Sequence, residues 1–279
     1  MRYRRAYIEI TSACNLDCSF CVHRGVHRRN LPFEDFKMIA DQLPELTDTV
    51  YYHVMGEPLL HPDLDRMMEY VNDLGMRSAI TTNGLLLKNK AGKWKGLKIS
   101  RINISLHAYI DENNGLTLQD AMQTVKDAET VQRETGAAVF YRLWDAENPD
   151  QKELEAAILN RYGKETDPEN VYKPNGMELA HGFRLSKERK FVWPVNASKG
   201  TERGFCQGLR THFAVLADGT VVPCCLDAAG EICLGNAKEK PLKEILDSEK
   251  AKNIYNGFTG RKAAEELCRK CEYKGRFGG

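Results

Sequence analysis

The sequence predicts an α/β fold of parallel strands curling into an open or closed barrel, and three observations predict it. Short β-rich runs alternate with helix-patterned segments through the first half of the chain. Strand and helix alternating at this length call for parallel pairing through right-handed crossovers. Small or polar motifs also recur just after the strand ends, where ligands sit in such folds.

Each element has its own warrant. Residues 6–11 (AYIEIT), 49–55 (TVYYHVM), 77–82 (RSAITT), 101–106 (RINISL) and 137–144 (AAVFYRLW) are rich in β-branched and aromatic residues and read as strands. Between them, 33–43 (FEDFKMIADQL) and 61–75 read as helices; in the second, Leu64, Met67, Met68, Val71 and Leu74 share one face and Gly75 supplies the stop. A further helix runs from about Leu118 to Glu134 and ends at Gly136. Beyond Asn148 the pattern weakens to one helix near 151–162 and a polar stretch to about Gly204. Then 212–225 (HFAVLADGTVVPCC) reads as a hairpin turning at Asp218-Gly219, and 241–255 as helix. These shifts predict three segments: a barrel core over 1–147, barrel completion and connection over 148–204, and a small C-terminal domain over 205–279.

Composition sets bounds. A chain of 279 residues suffices for one large domain with a small appendage. Net charge of +1 lacks the basic balance that marks a nucleic-acid binder. The N-terminus is basic, but its short apolar run carries Glu9, so it is neither a signal sequence nor a membrane span, and no other stretch approaches spanning length. Nine cysteines without an export signal point to a reducing, cytoplasmic compartment, where clustered thiols are more often metal ligands than disulfides.

Three of those thiols, Cys14, Cys18 and Cys21, fall in a C-x3-C-x2-C spacing after the first strand. Three thiolates on one loop can hold three irons of a cubane cluster and leave the fourth open to a small chelating molecule. Tetrahedral zinc with His23 or His27 as fourth ligand is the alternative reading. The triplet, with Phe20 before its last cysteine, resembles the signature of the radical S-adenosylmethionine (radical SAM) enzymes. The resemblance extends to MGEP (55–58), similar to the family's Gly-Glu motif that receives the SAM ammonium, and to TTNG (81–84) and ISLHA (104–108) at the third and fourth strand ends. It implies a partial (β/α)6 TIM-like barrel. It also implies a SAM-binding 4Fe-4S cluster on Cys14, Cys18 and Cys21, and reductive cleavage of SAM to a 5′-deoxyadenosyl radical that takes a hydrogen atom from substrate. Electrons would come from a donor such as flavodoxin or ferredoxin.

The residues have readings of their own. Gly56 permits close backbone approach, and the Glu57 carboxylate can accept from an ammonium group or simply sit in a solvated turn. Asn83 is a ligand or a turn residue. Ser105 is a candidate SAM or substrate contact. Arg142 shares a strand face with Phe140 and Trp144 and is an inward anion ligand or a strand-end charge. His107 faces substrate or is a satisfied structural histidine. No catalytic acid or base stands out.

Among the remaining cysteines, Cys206, Cys224, Cys268 and Cys271 are laid out as in the shortened auxiliary-cluster module (Twitch) of enzymes related to the SPASM group, which implies one further 4Fe-4S cluster. All-cysteine zinc is the alternative. Cys225, next to Cys224, points to the opposite strand face, and Cys233 lies in a loop; both are expected to be unligated. The resemblance first suggests net oxidation of a small molecule or a peptide. Arg24, Arg28 and Arg29, with His23 and His27, could form a basic rim extended by Arg2, Arg4, Arg5 and the terminal KGRF, which keeps a tRNA nucleoside as an alternative substrate. An iron-sulfur or zinc protein without catalysis is the other alternative. The strand starting near residue 6 leaves no room for a leader-recognition domain before the barrel, which weighs against a peptide substrate.

Overall fold

A computed structural model describes residues 2–22, 29–145, 148–165 and 175–277. In chain order the elements are β1 (Arg5–Ile8), α1 (Phe33–Ala40), β2 (Thr49–Tyr51), α2 (Leu64–Asp73), β3 (Arg77–Thr82), β4 (Ile99–Ser105), α3 (Leu118–Thr135), β5 (Ala138–Asp145) and α4 (Pro149–Arg161). They continue with β6 (Met177–Ala180), β7 (Phe183–Arg189), β8 (His212–Val215), β9 (Thr220–Val222), β10 (Gly235–Asn236), α5 (Leu242–Leu246), α6 (Glu249–Thr259) and α7 (Glu266–Lys270). Two compact units result: Met1–Ala13 with Val22–Arg77 and Phe191–Gly279, and Cys14–Cys21 with Ser78–Lys190.

In the first unit β1 lies between two parallel partners, β2 (Tyr7 opposite Tyr51) and β8 (Tyr7 opposite Ala214). β9 returns antiparallel from β8, and β10 from β9. A strand with parallel neighbours on both sides belongs in the interior of a sheet, which fits the buried Ala6 and Ile8. Helix α2 buries Leu64, Met67, Met68 and Val71, the stripe its spacing predicts, while Leu74 becomes the half-buried C-cap. The residues after β1 change partners: Leu31 donates to the Ile10 carbonyl and Ser12 to the Arg29 carbonyl, so β1 is shorter than its sequence pattern. The segment 241–255 divides because Ser248 caps a new helix, its Oγ accepting from Ala251 N at 3.3 Å.

In the second unit β3, β4, β5 and β7 run parallel in that order, and β6 closes the edge antiparallel to β7. Helix α3 opens with a capping box, Asp120 N donating to Thr117 Oγ1 and Thr117 N to Asp120 Oδ2, and ends at Gly136 in the left-handed region at φ 68°. Strand β7 pairs with β5 from Val139 opposite Phe183 to Asp145 opposite Arg189, yet its sequence, FRLSKER, is too charged to show a strand period. The fold is α/β with an open sheet, β10 and β6 being edge strands of their units; this agrees with the partial barrel expected above. Among the described residues no helix is long and apolar enough to cross a membrane.

His61, between β2 and α2, shows how tightly this region is specified. Its ring is buried; Nε2 lies 3.0 Å from the Leu31 carbonyl, and Asp63 N donates to Nδ1 at 3.1 Å. Only the neutral ring with its proton on Nε2 satisfies both bonds, and burial pushes its pKa below the usual 6.5. A folded pKa lowered in this way leaves the His61 contribution intact above pH about 6.5; it is lost as pH falls below that value, because the unfolded chain takes the proton first. We expect the fall in Tm between pH about 7.5 and about 5.5 to be smaller in His61→Gln than in the parent. Equal falls would show that His61 carries none of the acid sensitivity.

Candidate functional site

The Cys14–Cys21 loop belongs to the second unit, where a polar turn after β4 straps it down. Asp17 N donates to Asn114 Oδ1 at 3.0 Å, and Ser19 N and Oγ both donate to Asp111 Oδ2, at 3.0 and 2.7 Å. Asn113 Nδ2 donates to the Asp17 carbonyl at 3.1 Å. Asn114 Nδ2 lies 3.2 Å from Cys18 Sγ and 2.7 Å from the Ala108 carbonyl. Cys18 packs on Leu16 and Ala108 and is buried, whereas Cys14 and Cys21 are half-buried. Burial pushes the Cys18 thiol up to about 11, against the pull of the Asn114 bond. A thiol so raised ionises at neutral pH only when a cation compensates it, as metal coordination does. The Asp111-Glu112-Asn113-Asn114 strap was not anticipated; its signal in the sequence is a run of polar turn-formers directly after a strand end.

Asn83, Ser105 and Arg142 come together with the loop in this unit. Asn83 Nδ2 donates to Asn15 Oδ1 at 2.7 Å, its Oδ1 accepts from Leu85 N at 3.1 Å, and its carbonyl accepts from Tyr109 OH at 2.9 Å. Asn83 is thus a turn residue, and its amide ties that turn to the cysteine loop. Ser105 ends β4 opposite Arg142 of β5. Arg142 pairs with Glu188 of β7 at 3.3 Å, so its charge is balanced within the sheet. His107 is buried, with Nδ1 3.2 Å from the Arg142 carbonyl, and burial, helped by the Arg142 charge, lowers its pKa to about 3. It therefore stays neutral, and it forms an aromatic trio with Phe20 (5.2 Å between centroids) and Trp144 (4.3 Å). Phe20 is thus a wall of the site.

Gly56 and Glu57 lie in the first unit, directly after β2. Gly56 holds φ at 74°, and a Cβ there would come 2.2 Å from the Thr11 carbonyl oxygen, so only glycine fits. Glu57 N donates to the Ala13 carbonyl at 2.8 Å, and the buried Glu57 carboxylate accepts from Leu59 N at 3.0 Å. Glu57 is therefore not the solvated acid of an ordinary turn. A residue that the sequence reading used only as a charge, Glu9, fixes this corner: its Oε1 accepts from Met55 N at 3.0 Å and its Oε2 from Ala217 N at 3.1 Å. Burial raises the Glu9 pKa, and the two amide bonds oppose the rise.

The second thiol set also belongs to the first unit. Cys206, Cys224, Cys268 and Cys271 are half-buried, and each thiol is pushed up first by burial. Their charges then add to one another: Cys271 acts on Cys206, Cys206 and Cys268 on Cys224, and Cys206 and Cys271 on Cys268. The four thiols thus lie within electrostatic reach of one another, and Cys225 lies within reach of Cys224 as well. Gly208 N donates to Cys206 Sγ at 3.3 Å, and the buried Lys274 ammonium, which donates to the Arg269 and Cys271 carbonyls, lies near Cys206 and Cys271. Cys225 turns away toward Tyr7 and Arg5, and exposed Cys233 lies 3.8 Å from the Gly235 carbonyl.

The donor chemistry of both sets, thiols only, fits iron-sulfur ligation. Among the described residues no three His, Cys, Asp or Glu side chains close around a single metal-ion position. His23, His27, Arg24 and Arg28 lie outside the described residues. Of the remaining rim cations, Arg29 pairs with Asp218 at 3.1 Å, Arg2 pairs with Asp48, and Lys274 is committed to backbone carbonyls.

Comparison with known proteins agrees with this geometry. The profile described as the radical SAM superfamily matches residues 8–144, and that described as an iron-sulfur cluster-binding domain (SPASM) matches 206–272. A probable GTP 3′,8-cyclase of Aeropyrum pernix is 33% identical over 115 residues, covering 38% of this chain and 32% of the relative. A protein of the same name from Saccharolobus islandicus is 38% identical over 104 residues, covering 36% and 34%. The matched region thus spans about a third of the length of each of these curated relatives. Among solved structures, Streptococcus suis SuiB bound to S-adenosylmethionine superposes with a TM-score of 0.66 at 17% identity, covering 97% of this chain and 72% of that one. BtrN in complex with AdoMet and 2-DOIA gives 0.55 at 17% identity, covering 98% and 94%. At such identities these two structures establish shared fold.

Proposed function

Because the chain belongs to the radical SAM superfamily and carries a C-terminal iron-sulfur cluster-binding domain, we propose that it removes a hydrogen atom from a small-molecule or peptide substrate in a net oxidation served by its second cluster. The enzyme uses a SAM-binding 4Fe-4S cluster and an auxiliary cluster. Cys14, Cys18 and Cys21 would hold the first, and Cys206, Cys224, Cys268 and Cys271 the second. Held there and reduced, the first cluster would supply the electron for reductive cleavage of SAM to methionine and a 5′-deoxyadenosyl radical.

The remaining work falls to the side chains. Glu57 accepts the SAM ammonium with a carboxylate that is buried beside the cysteine loop's first residues and held by Leu59 N. Gly56 lets the backbone carry Glu57 close to Ala13, the residue before the first cysteine. The Asn83 amide orients the loop through Asn15, and Ser105 supplies a hydroxyl at the end of β4. Phe20, His107 and Trp144 exclude water with neutral surfaces, which keeps a radical from being quenched. The Arg142–Glu188 pair suits a sheet brace better than an anion ligand.

The gathering of these four thiols in one unit is the observation that carries the oxidation reading, since a set of four cysteine ligands would leave no iron open for substrate. The names of the Aeropyrum and Saccharolobus relatives favour a second reading, a nucleotide substrate. The tRNA reading gains nothing from Arg2, Arg29 or Lys274, whose charges are already engaged. The test is anaerobic: protein loaded with about eight irons per chain is reduced with dithionite or a flavodoxin and given SAM and deuterated candidate substrates. The reading expects 5′-deoxyadenosine, with deuterium carried into it from the true substrate. Fully loaded protein that yields none would mark it as a carrier or scaffold.

A further inference from the structure

Arg5 stands apart from the other N-terminal cations. It is half-buried at the start of β1, and among the described residues no carboxylate pairs with it. Its guanidinium instead lies 5.7 Å from the Tyr51 ring centroid and donates to the Tyr7 hydroxyl, which in turn bonds Cys225. Tyr7 is ringed by Tyr51 at 4.9 Å, His53 at 5.5 Å and His212 at 5.6 Å between centroids. Burial, followed by the Arg5 charge, lowers the pKa of His212 to about 4, so its ring is neutral at physiological pH. His212 Nδ1 lies 3.0 Å from Thr211 Oγ1, and its Nε2 has no hydrogen-bond partner among the described residues.

This is an unusual way to place a cation. A guanidinium drawn out of water normally acquires an acid, because desolvation without a partner is costly. Here the sheet register sets Arg5 opposite His212 and Tyr7 opposite Tyr51, which builds a wall of rings and donors around one uncompensated positive charge. A guanidinium suits an oxyanion, and the flat rings beside it suit the apolar part that carries that anion. Cys225 adjoins Cys224 in the chain, so the wall lies beside the second thiol set.

We propose that Arg5, with Tyr7, Tyr51 and His212, is a subsite for one anionic group of the substrate, a carboxylate or a phosphate monoester, held beside the auxiliary cluster. The anion takes charge-assisted bonds from the guanidinium and lies against the Tyr51 and His212 rings, which leaves the uncharged part of the substrate to be selected elsewhere. Calling the anion a substrate group rests on the reading above; the presence of the subsite does not.

Calorimetric titration of the anaerobically reconstituted holoenzyme tests it, with benzoate, phenyl phosphate and uncharged benzyl alcohol as probes. At least one anionic probe should bind with Kd on the order of 1 mM and about tenfold more tightly than benzyl alcohol. Arg5→Gln should weaken that binding about tenfold, with Arg5→Lys intermediate. Tyr7→Phe, which keeps the ring, should weaken it less, and it serves if the Arg5 variants do not fold. Tighter benzoate assigns a carboxylate, and tighter phenyl phosphate assigns a phosphate. No saturable anion binding, or affinity unchanged by both Arg5→Gln and Tyr7→Phe, overturns the subsite. In the same preparation, 5′-deoxyadenosine formation by the parent protein is measured separately: cleavage without anion binding defeats only the subsite, and anion binding without cleavage defeats only the enzymatic reading.

Discussion

Alanine at Cys14, Cys18 or Cys21 is expected to reduce 5′-deoxyadenosine formation to background, at least about 100-fold, or ~2.7 kcal/mol of barrier. Each thiol would ligate one iron, and no other cysteine lies in the same unit to take its place. The strap from Asp111 and Asn114 fixes the loop backbone independently of any metal, so these variants should fold and lose only the cluster of that loop. Iron should accordingly fall by about half while the second set stays loaded. Cys233→Ala is the control, because its sulfur is exposed and lies against the Gly235 carbonyl; it should cleave SAM like the parent. Anaerobic reconstitution, iron assay and quantification of 5′-deoxyadenosine supply the measurement. A triplet variant that still cleaves, or a parent loop that takes zinc after reconstitution, would defeat the ligand assignment.

The parts of the fold visible in the sequence are those whose chemistry is periodic or punctuated. RSAITT gave the bounds of β3, and the run from Leu118 to Glu134 with Gly136 behind it gave α3, because alternation and a helix-ending glycine each have one structural meaning. β7 was hidden: its inward Phe183 and Leu185 are outweighed by Arg184, Lys187, Glu188 and Arg189, several of which balance charges on neighbouring elements. The same division runs through the site. Cysteine spacing is a local signal and was legible. Glu9, Asp111 and Asn114 act through distant partners, 46 and 208 residues away in Glu9's case, and no local pattern reports such bonds. Of the arginine-rich loop, Arg29 lies within the described residues, and charge counted along the chain does not report its pair with Asp218.

Gly56→Ala is the second large effect, and it tests whether the corner after β2 exists for SAM. At φ 74° an alanine is left-handed, at a cost of roughly 1–2 kcal/mol. Its Cβ would also meet the Thr11 and Ala13 carbonyl oxygens at 2.2 and 2.9 Å, and backbone atoms cannot rotate out of the way as a side chain would. The corner must open, which breaks the bond from Glu57 N to the Ala13 carbonyl, worth about 1 kcal/mol, and moves the carboxylate proposed to receive the ammonium. We expect SAM affinity to fall about tenfold or more, with iron loading unchanged, because no cysteine is displaced. Gly75→Ala separates strain from close approach: φ there is 81°, but nothing lies within 4 Å of the added Cβ. It should lower Tm by a few degrees, as roughly 1 kcal/mol does in a chain of this size, and leave SAM binding alone. If Gly56→Ala binds SAM as the parent does, the Gly-Glu corner is only a turn, and the ammonium must be received by another part of the chain.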